Sequence, residues 1–129
     1  MIIDTNAVSD WADGTGAAPG IISQSPRRVI PVTVLGEYQF GIKASRYRAR
    51  YEHWLAQTLP HCEIHPSTQA TAGIYSQLRH DLKKAGKTVP PNDLWIAASA
   101  IELGLPILSN DHHFDLIPGI RRISFAEAP

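Results

Sequence analysis

The sequence predicts an α/β fold, a three-layer α/β/α sandwich around a central parallel sheet of about five strands. Three observations point there. Short apolar runs such as Ile2-Ile3 and RVIPV lack polar alternation, as strands covered on both faces do. Segments of helical period separate these runs. Each run ends on turn or cap formers, and strands that alternate with helices imply a parallel sheet with helices on both faces.

The elements follow in order. The chain opens MIIDTNAVSDW, where Ile2 and Ile3 form a first strand and Asp4, Thr5 and Asn6 favour turns and caps. Asp4 therefore either caps the next helix or stands at the carboxyl end of a strand, where open α/β sheets bind their ligands. GTGAAPG, residues 14 to 20, reads as a loop between short helical pieces. RVIPV, residues 28 to 32, is a second strand, with Thr33 placed to cap a helix through VLGEYQFGIKA. Tyr47, Tyr51, Trp54, Leu55 and Leu59 share a helical face that Pro60 ends. HCEIHP, residues 61 to 66, is a third strand. Ser67 or Thr68 then caps a longer helix with Ala72, Tyr75, Leu78 and Leu82 inward, closing near Gly86. After VPPN, DLWIAASAIELG forms an apolar helix that packs on the sheet and stops at Gly104. LPILSND gives a fourth strand ending on Ser109, Asn110 and Asp111, and RRISF a short last one.

Bulk properties narrow the function. With 129 residues, 43% of them hydrophobic, the chain suits a single domain spanning residues 1–129. Twelve Lys and Arg balance twelve Asp and Glu, so no global field attracts nucleic acid or membrane, and an anionic substrate needs a local patch or a metal. The single cysteine, Cys62, excludes an internal disulfide or a cysteine-rich zinc site, and is expected as a small buried hydrophobe. With the first charged side chain at position 4 and no later run approaching a membrane span, a soluble cytoplasmic protein without membrane contact is expected.

Chemistry is carried by four carboxylates. Asp4 and Asp111 follow strands, Glu37 lies in the first turns after the second strand, and Asp93 begins a helix. In a parallel sheet these places share one edge. Acids gathered there repel one another and rise in pKa unless a cation joins them. Mg2+ or Mn2+ suits an all-oxygen set, whereas zinc wants more nitrogen or sulfur. Such an ion lowers the pKa of a bound water and neutralises a phosphodiester, so hydrolysis follows. Asp4 and Asp93 are the first choices as ligands, with Glu37 and Asp111 completing the shell or orienting water. Taken singly, Asp4 and Asp93 are also ordinary helix-start residues, Glu37 a solvated helix residue and Asp111 a turn residue. Convergence is what tips the balance.

With those residues in hand, the chain resembles the PIN-domain family, and more narrowly its VapC-type toxins. MIIDTNAVSDW, VTVLGEYQFGI, NDLWIAASAIELGLPILSND and FDLIPGI carry the resemblance almost end to end. It implies a divalent-metal-dependent ribonuclease, the toxin of a toxin–antitoxin pair, with Asp4, Glu37, Asp93 and Asp111 as the Mg2+ site and Thr5, Asn6 and Ser109 as polar residues beside it. Asp115, the second acid flanking HHF, is the alternative last ligand; Asp111 is preferred because it follows the strand directly. His112 and His113 could touch phosphate or metal, but as adjacent histidines in a polar loop they are expected to be solvated. The resemblance also implies a homodimer and a cognate antitoxin.

An RNA path is suggested by KASRYRARYEHW, in which Lys43, Arg46, Arg48 and Arg50 offer cations and Tyr47 and Tyr51 offer rings for unpaired bases. Arg79, Lys83, Lys84 and Lys87 form a second basic group, read as a plain exposed helix face. Among the aromatics Trp11, Tyr38, Phe40 and Trp54, core burial is the default and an exposed one marks a partner surface. Two other classes compete: an aspartyl-phosphate phosphotransfer enzyme using Asp4, which lacks the second aspartate where Asn6 stands, and a catalytically silent PIN-like binding module.

Overall fold

In the computed structural model, which describes residues 1–126, the chain runs β1 (Ile2–Ile3), α1 (Thr5–Asp13), α2 (Ala18–Gln24), β2 (Val29–Pro31), α3 (Val32–Lys43), α4 (Arg48–Thr58), β3 (Glu63–His65), α5 (Gln69–Lys84), α6 (Pro91–Leu103), β4 (Ile107–Leu108) and β5 (Arg122–Ile123). The strands pair in parallel in the order β3-β2-β1-β4-β5, with Ile2 opposite both Val29 and Ile107. The chain builds outward from β1 to β3, then returns past β1 to β4. Right-handed crossovers consequently put α1 to α4 on one face and α5 and α6 on the other, and the order reverses between β1 and β4.

The apolar runs form the centre. Ile2, Ile3, Val29, Ile30, Ile107 and Leu108 are buried, as strands covered on both faces require. Six residues of α6, Leu94, Ile96, Ala97, Ala98, Ser99 and Ala100, are buried together, and its alanines let the helix lie close against α5 and β1. Gly104 ends it at φ 66°, where a Cβ is disfavoured. On the β3 side the buried His65 places Nε2 2.9 Å from Glu102 Oε2, and the Thr71 hydroxyl also donates to Glu102, tying β3, α5 and α6 together.

Several local expectations are corrected. Residues 18 to 20 are helical, not loop, because Pro19 fits the first turn of α2. Thr33 caps nothing; α3 begins one residue earlier, at Val32, with Pro31 as N-cap and no side-chain cap bond. Thr68, not Ser67, caps α5, through a reciprocal box with Thr71. That same Thr71 is buried where Ala72 was expected, and Ala72 is exposed. Tyr47 precedes α4 and is exposed, so it leaves the apolar face, and Pro60 falls inside a 3-10 turn, Leu59–His61, appended to the helix. Cys62 is half-buried against the core, not enclosed by it. Of the four aromatics, Tyr38 is buried, Trp11 and Trp54 pack edge to face with centroids 5.3 Å apart, and only Phe40, 80% exposed, faces solvent.

After β4 a 3-10 turn, His112–Leu116, is anchored by Phe114, which is fully buried. Replacing Phe114 by Ala removes a large core side chain and is expected to lower unfolding free energy by about 3–5 kcal/mol, read from urea denaturation.

Candidate active site

Backbone geometry brings four predicted acids to the point where the strand order reverses. β1 ends on Asp4 and β4 on Ser109, and the Asp4 N–H donates to the Leu108 carbonyl at 3.1 Å. Asp4 holds both roles considered for it: Oδ1 accepts the Thr5 N–H at 2.8 Å as the cap of α1, and Oδ2 accepts the Ser109 hydroxyl at 2.6 Å. Asn6 donates to Asp4 Oδ2 at 3.3 Å and to Ser109 Oγ at 3.2 Å, while its own oxygen accepts the Asn110 N–H. The Asp111 N–H then donates to Ser109 Oγ at 2.9 Å. Thr5, Asn6 and Ser109 thus hold the acids in register.

Glu37 comes from α3, where Thr5 Oγ1 donates to its Oε2 at 3.3 Å and the neighbouring Asn92 side chain also acts to lower its proton affinity; its Oε1 is buried. Asp93, in the first turn of α6, lies with Oδ2 3.0 Å from His113 Nδ1, which also stands 3.1 Å from Asp111 Oδ1. Asp93, Asp111 and His113 offer donor atoms within 4.8 Å of one another. His113 is the site residue that sequence reasoning set aside as solvated. No signal in the sequence separates it from His112; the 3-10 turn around buried Phe114 does.

Asp115 is engaged elsewhere. Arg122 Nε lies 2.9 Å from its Oδ1 and His112 Nδ1 3.0 Å from its Oδ2; hydrogen bonding to Arg122 above all, then to His112, holds this carboxyl down at about 2. Arg122 also donates to the Ser109 carbonyl at 3.1 Å, bracing the loop that carries Asp111.

Crowding shows in the proton affinities. Burial above all, then the charges of Asp93 and Asp111, raises Asp4 above the ordinary value against its bonds to Ser109 and Thr5. Burial likewise leads in raising Glu37, aided by Asp4 and Asp93, and in raising Asp93, aided by Asp111 and opposed by His113. The imidazole is raised in turn, chiefly by its bond to Asp93. One buried carboxylate, Asp4, beside three partly buried ones forms an all-oxygen donor set that suits a hard divalent cation.

A cleft of about 250 Å³ runs from Thr5 and Glu37 past Tyr38 and Gly41 to Ser45 and Tyr51. The predicted basic stretch lies at that end. Arg46 stacks over Tyr47 at 4.8 Å and Arg50 over Tyr51 at 5.9 Å, Lys43 is exposed, and Arg48 is paired with Glu52 at 2.7 Å. In the second basic group, Arg79 bonds the Tyr75 hydroxyl, whose ring stacks on Trp95 with centroids 4.0 Å apart.

The family of PIN domains matches residues 1–120. The chain is 32% identical over 121 residues to Ribonuclease VapC5 of Mycobacterium tuberculosis, covering 92% of this chain and 87% of that one. Among solved structures it superposes on VapBC2 from Rickettsia felis, bound to a promoter DNA fragment, with TM-score 0.87, 22% identity and coverage of 97% and 98%. It superposes on VapBC-5 of Mycobacterium tuberculosis, a member of the VapBC family of toxin–antitoxin systems, with TM-score 0.71, 26% identity and coverage of 96% and 95%.

Because Asp4, Glu37 and Asp93 bind protons more readily folded than at their ordinary values of 3.8, 4.5 and 3.8, their stabilising contribution is complete below about pH 4 and is lost as pH rises through the raised values. Thermal unfolding in EDTA between pH 4 and 7 is therefore expected to show stability falling with pH from these groups. Asp4→Asn, which keeps a capping side chain, is expected to flatten that fall.

Proposed function

The chain belongs to the PIN-domain family, among the VapC-type ribonuclease toxins of VapBC toxin–antitoxin systems, and from that premise we propose that it hydrolyses RNA phosphodiester bonds with a divalent ion held by Asp4, Asp93 and Asp111 and with Glu37 completing the shell. The observation that carries this reading is the gathering of those acids at the reversal of strand order, with Asp93 and Asp111 in ligand reach of one another and Asp4 and Glu37 near enough for neighbouring acids to raise their proton affinity. A bound Mg2+ or Mn2+ would neutralise phosphate charge and acidify water. The chain's own residues do the rest. Asp4 is fixed by Ser109 and Thr5, so its free lone pairs keep one direction. Glu37, hydrogen-bonded by Thr5 and lining the cleft, would either complete the shell or orient a water and take its proton, and its raised proton affinity supports the second task.

RNA would reach the acids along the cleft, with Lys43, Arg46 and Arg50 near the phosphates and Tyr47 and Tyr51 stacking on unpaired bases; Arg48 serves Glu52 first. A cognate antitoxin is the inhibitor we propose, by analogy with the complexes above, and Phe40, exposed on α3, is the aromatic best placed for a protein partner or a second copy. We read residues 1–129 as one nuclease domain acting in the cytoplasm; no described helix is long and apolar enough to cross a membrane. The phosphotransfer and silent-module readings gain nothing from the relatives, which are ribonucleases.

The decisive experiment incubates the purified chain with RNA and Mg2+ or Mn2+, with EDTA as control. Cleavage is expected with metal only, and Asp4→Asn and Asp93→Asn are each expected to lower it about 100-fold or more. Cleavage that persists in EDTA, or in both variants, would overturn the reading, and acid-labile phosphate on Asp4 would favour phosphotransfer.

A further inference from the structure

We propose that His113 is a nitrogen ligand of the divalent ion shared by Asp93 and Asp111, and that it shifts the site's preference from Mg2+ toward Mn2+. This rests on the metal reading above and deepens it by adding a donor that is not an acid.

Distance is the first argument. Nδ1 stands 3.0 Å from Asp93 Oδ2 and 3.1 Å from Asp111 Oδ1. Adjacent ligands on an octahedral ion with bonds of about 2.1 Å lie about 3.0 Å apart. The spacing of Nδ1 from the two carboxylates is therefore also that of neighbouring ligands on one ion, which Nδ1 would meet with its proton released.

The second argument is how the ring is delivered. His113 lies in the 3-10 turn, and its N–H donates to Asp111 Oδ1 at 2.9 Å. The next residue, Phe114, is fully buried, and Asp115 is clamped by Arg122. Backbone held at both ends thus presents this imidazole to the acids. Its neighbour His112 serves as an internal comparison: with its side chain 82% exposed, it faces Asp115 and Arg122 instead. Two histidines that the sequence leaves equivalent are separated by the turn, and one of them faces the acids while staying half open to solvent.

Chemistry sets the consequence. Mg2+ keeps to oxygen and water, whereas first-row transition ions accept imidazole readily, so a ring nitrogen among carboxylates improves Mn2+ binding more than Mg2+ binding.

The test titrates the full-length chain and His113→Ala with Mn2+ and with Mg2+ by calorimetry, and records electron spin echo modulation of bound Mn2+, with circular dichroism confirming that the variant is folded. The expected result is an imidazole 14N coupling in the unmodified chain that vanishes in His113→Ala, and a ratio of Mn2+ to Mg2+ affinity lowered about tenfold in the variant. Mn2+ bound without nitrogen coupling, coupling that survives in the variant, or an unchanged ratio would overturn the role of His113 and leave the carboxylate site standing. Failure of the unmodified chain to bind either ion would overturn both.

Discussion

The fold hangs on a conflict between hydrophobic burial and charge. β1 must be covered on both faces to hold the sheet together, yet it ends on Asp4, which is itself buried. The hydroxyl of Ser109, 2.6 Å away at the end of the neighbouring strand, offsets part of the lost hydration, and the Thr5 N–H another part. A buried carboxylate without such donors would be protonated or exposed. This pairing obliges β1 and β4 to sit side by side, and that adjacency in turn brings the Asp111 loop and the start of α6 to the same place.

Most of the architecture was legible because it rests on strong local signals. Runs such as Ile2-Ile3 and PIL, a helix with six buried residues over Leu94 to Ala100, and Gly104 at its end leave little choice of element. What escaped was decided by tertiary packing. Thr33 looks like a cap, but the chain had already turned helical at Val32. Thr71 took an inward position on α5 because its hydroxyl could serve both the helix start and Glu102, which a reading based on hydrophobicity cannot see.

The acids were legible as a candidate set because Asp4 and Asp111 follow strands, Asp93 opens a helix and Glu37 lies in the first turns of another. The histidine among them was not. Adjacent His112 and His113 have the same sequence surroundings, and only the tight turn set by buried Phe114 gives them different neighbours. Asp111 and Asp115 are likewise given different neighbours by a distant residue, since Arg122 of β5 engages Asp115 while Asp111 and Asp93 both face His113.

Arg122 also bears on when, during synthesis, the carboxylate cluster can form. The partners Asp4 and Ser109 are 105 residues apart, and the brace on the Ser109 carbonyl is made later still. A ribosome must therefore translate past Ser109 before Asp4 meets its partner, and past Arg122 before the brace forms. A nascent chain that stops short of Ser109 carries Asp4 and Glu37 without the hydroxyl that compensates the buried carboxylate.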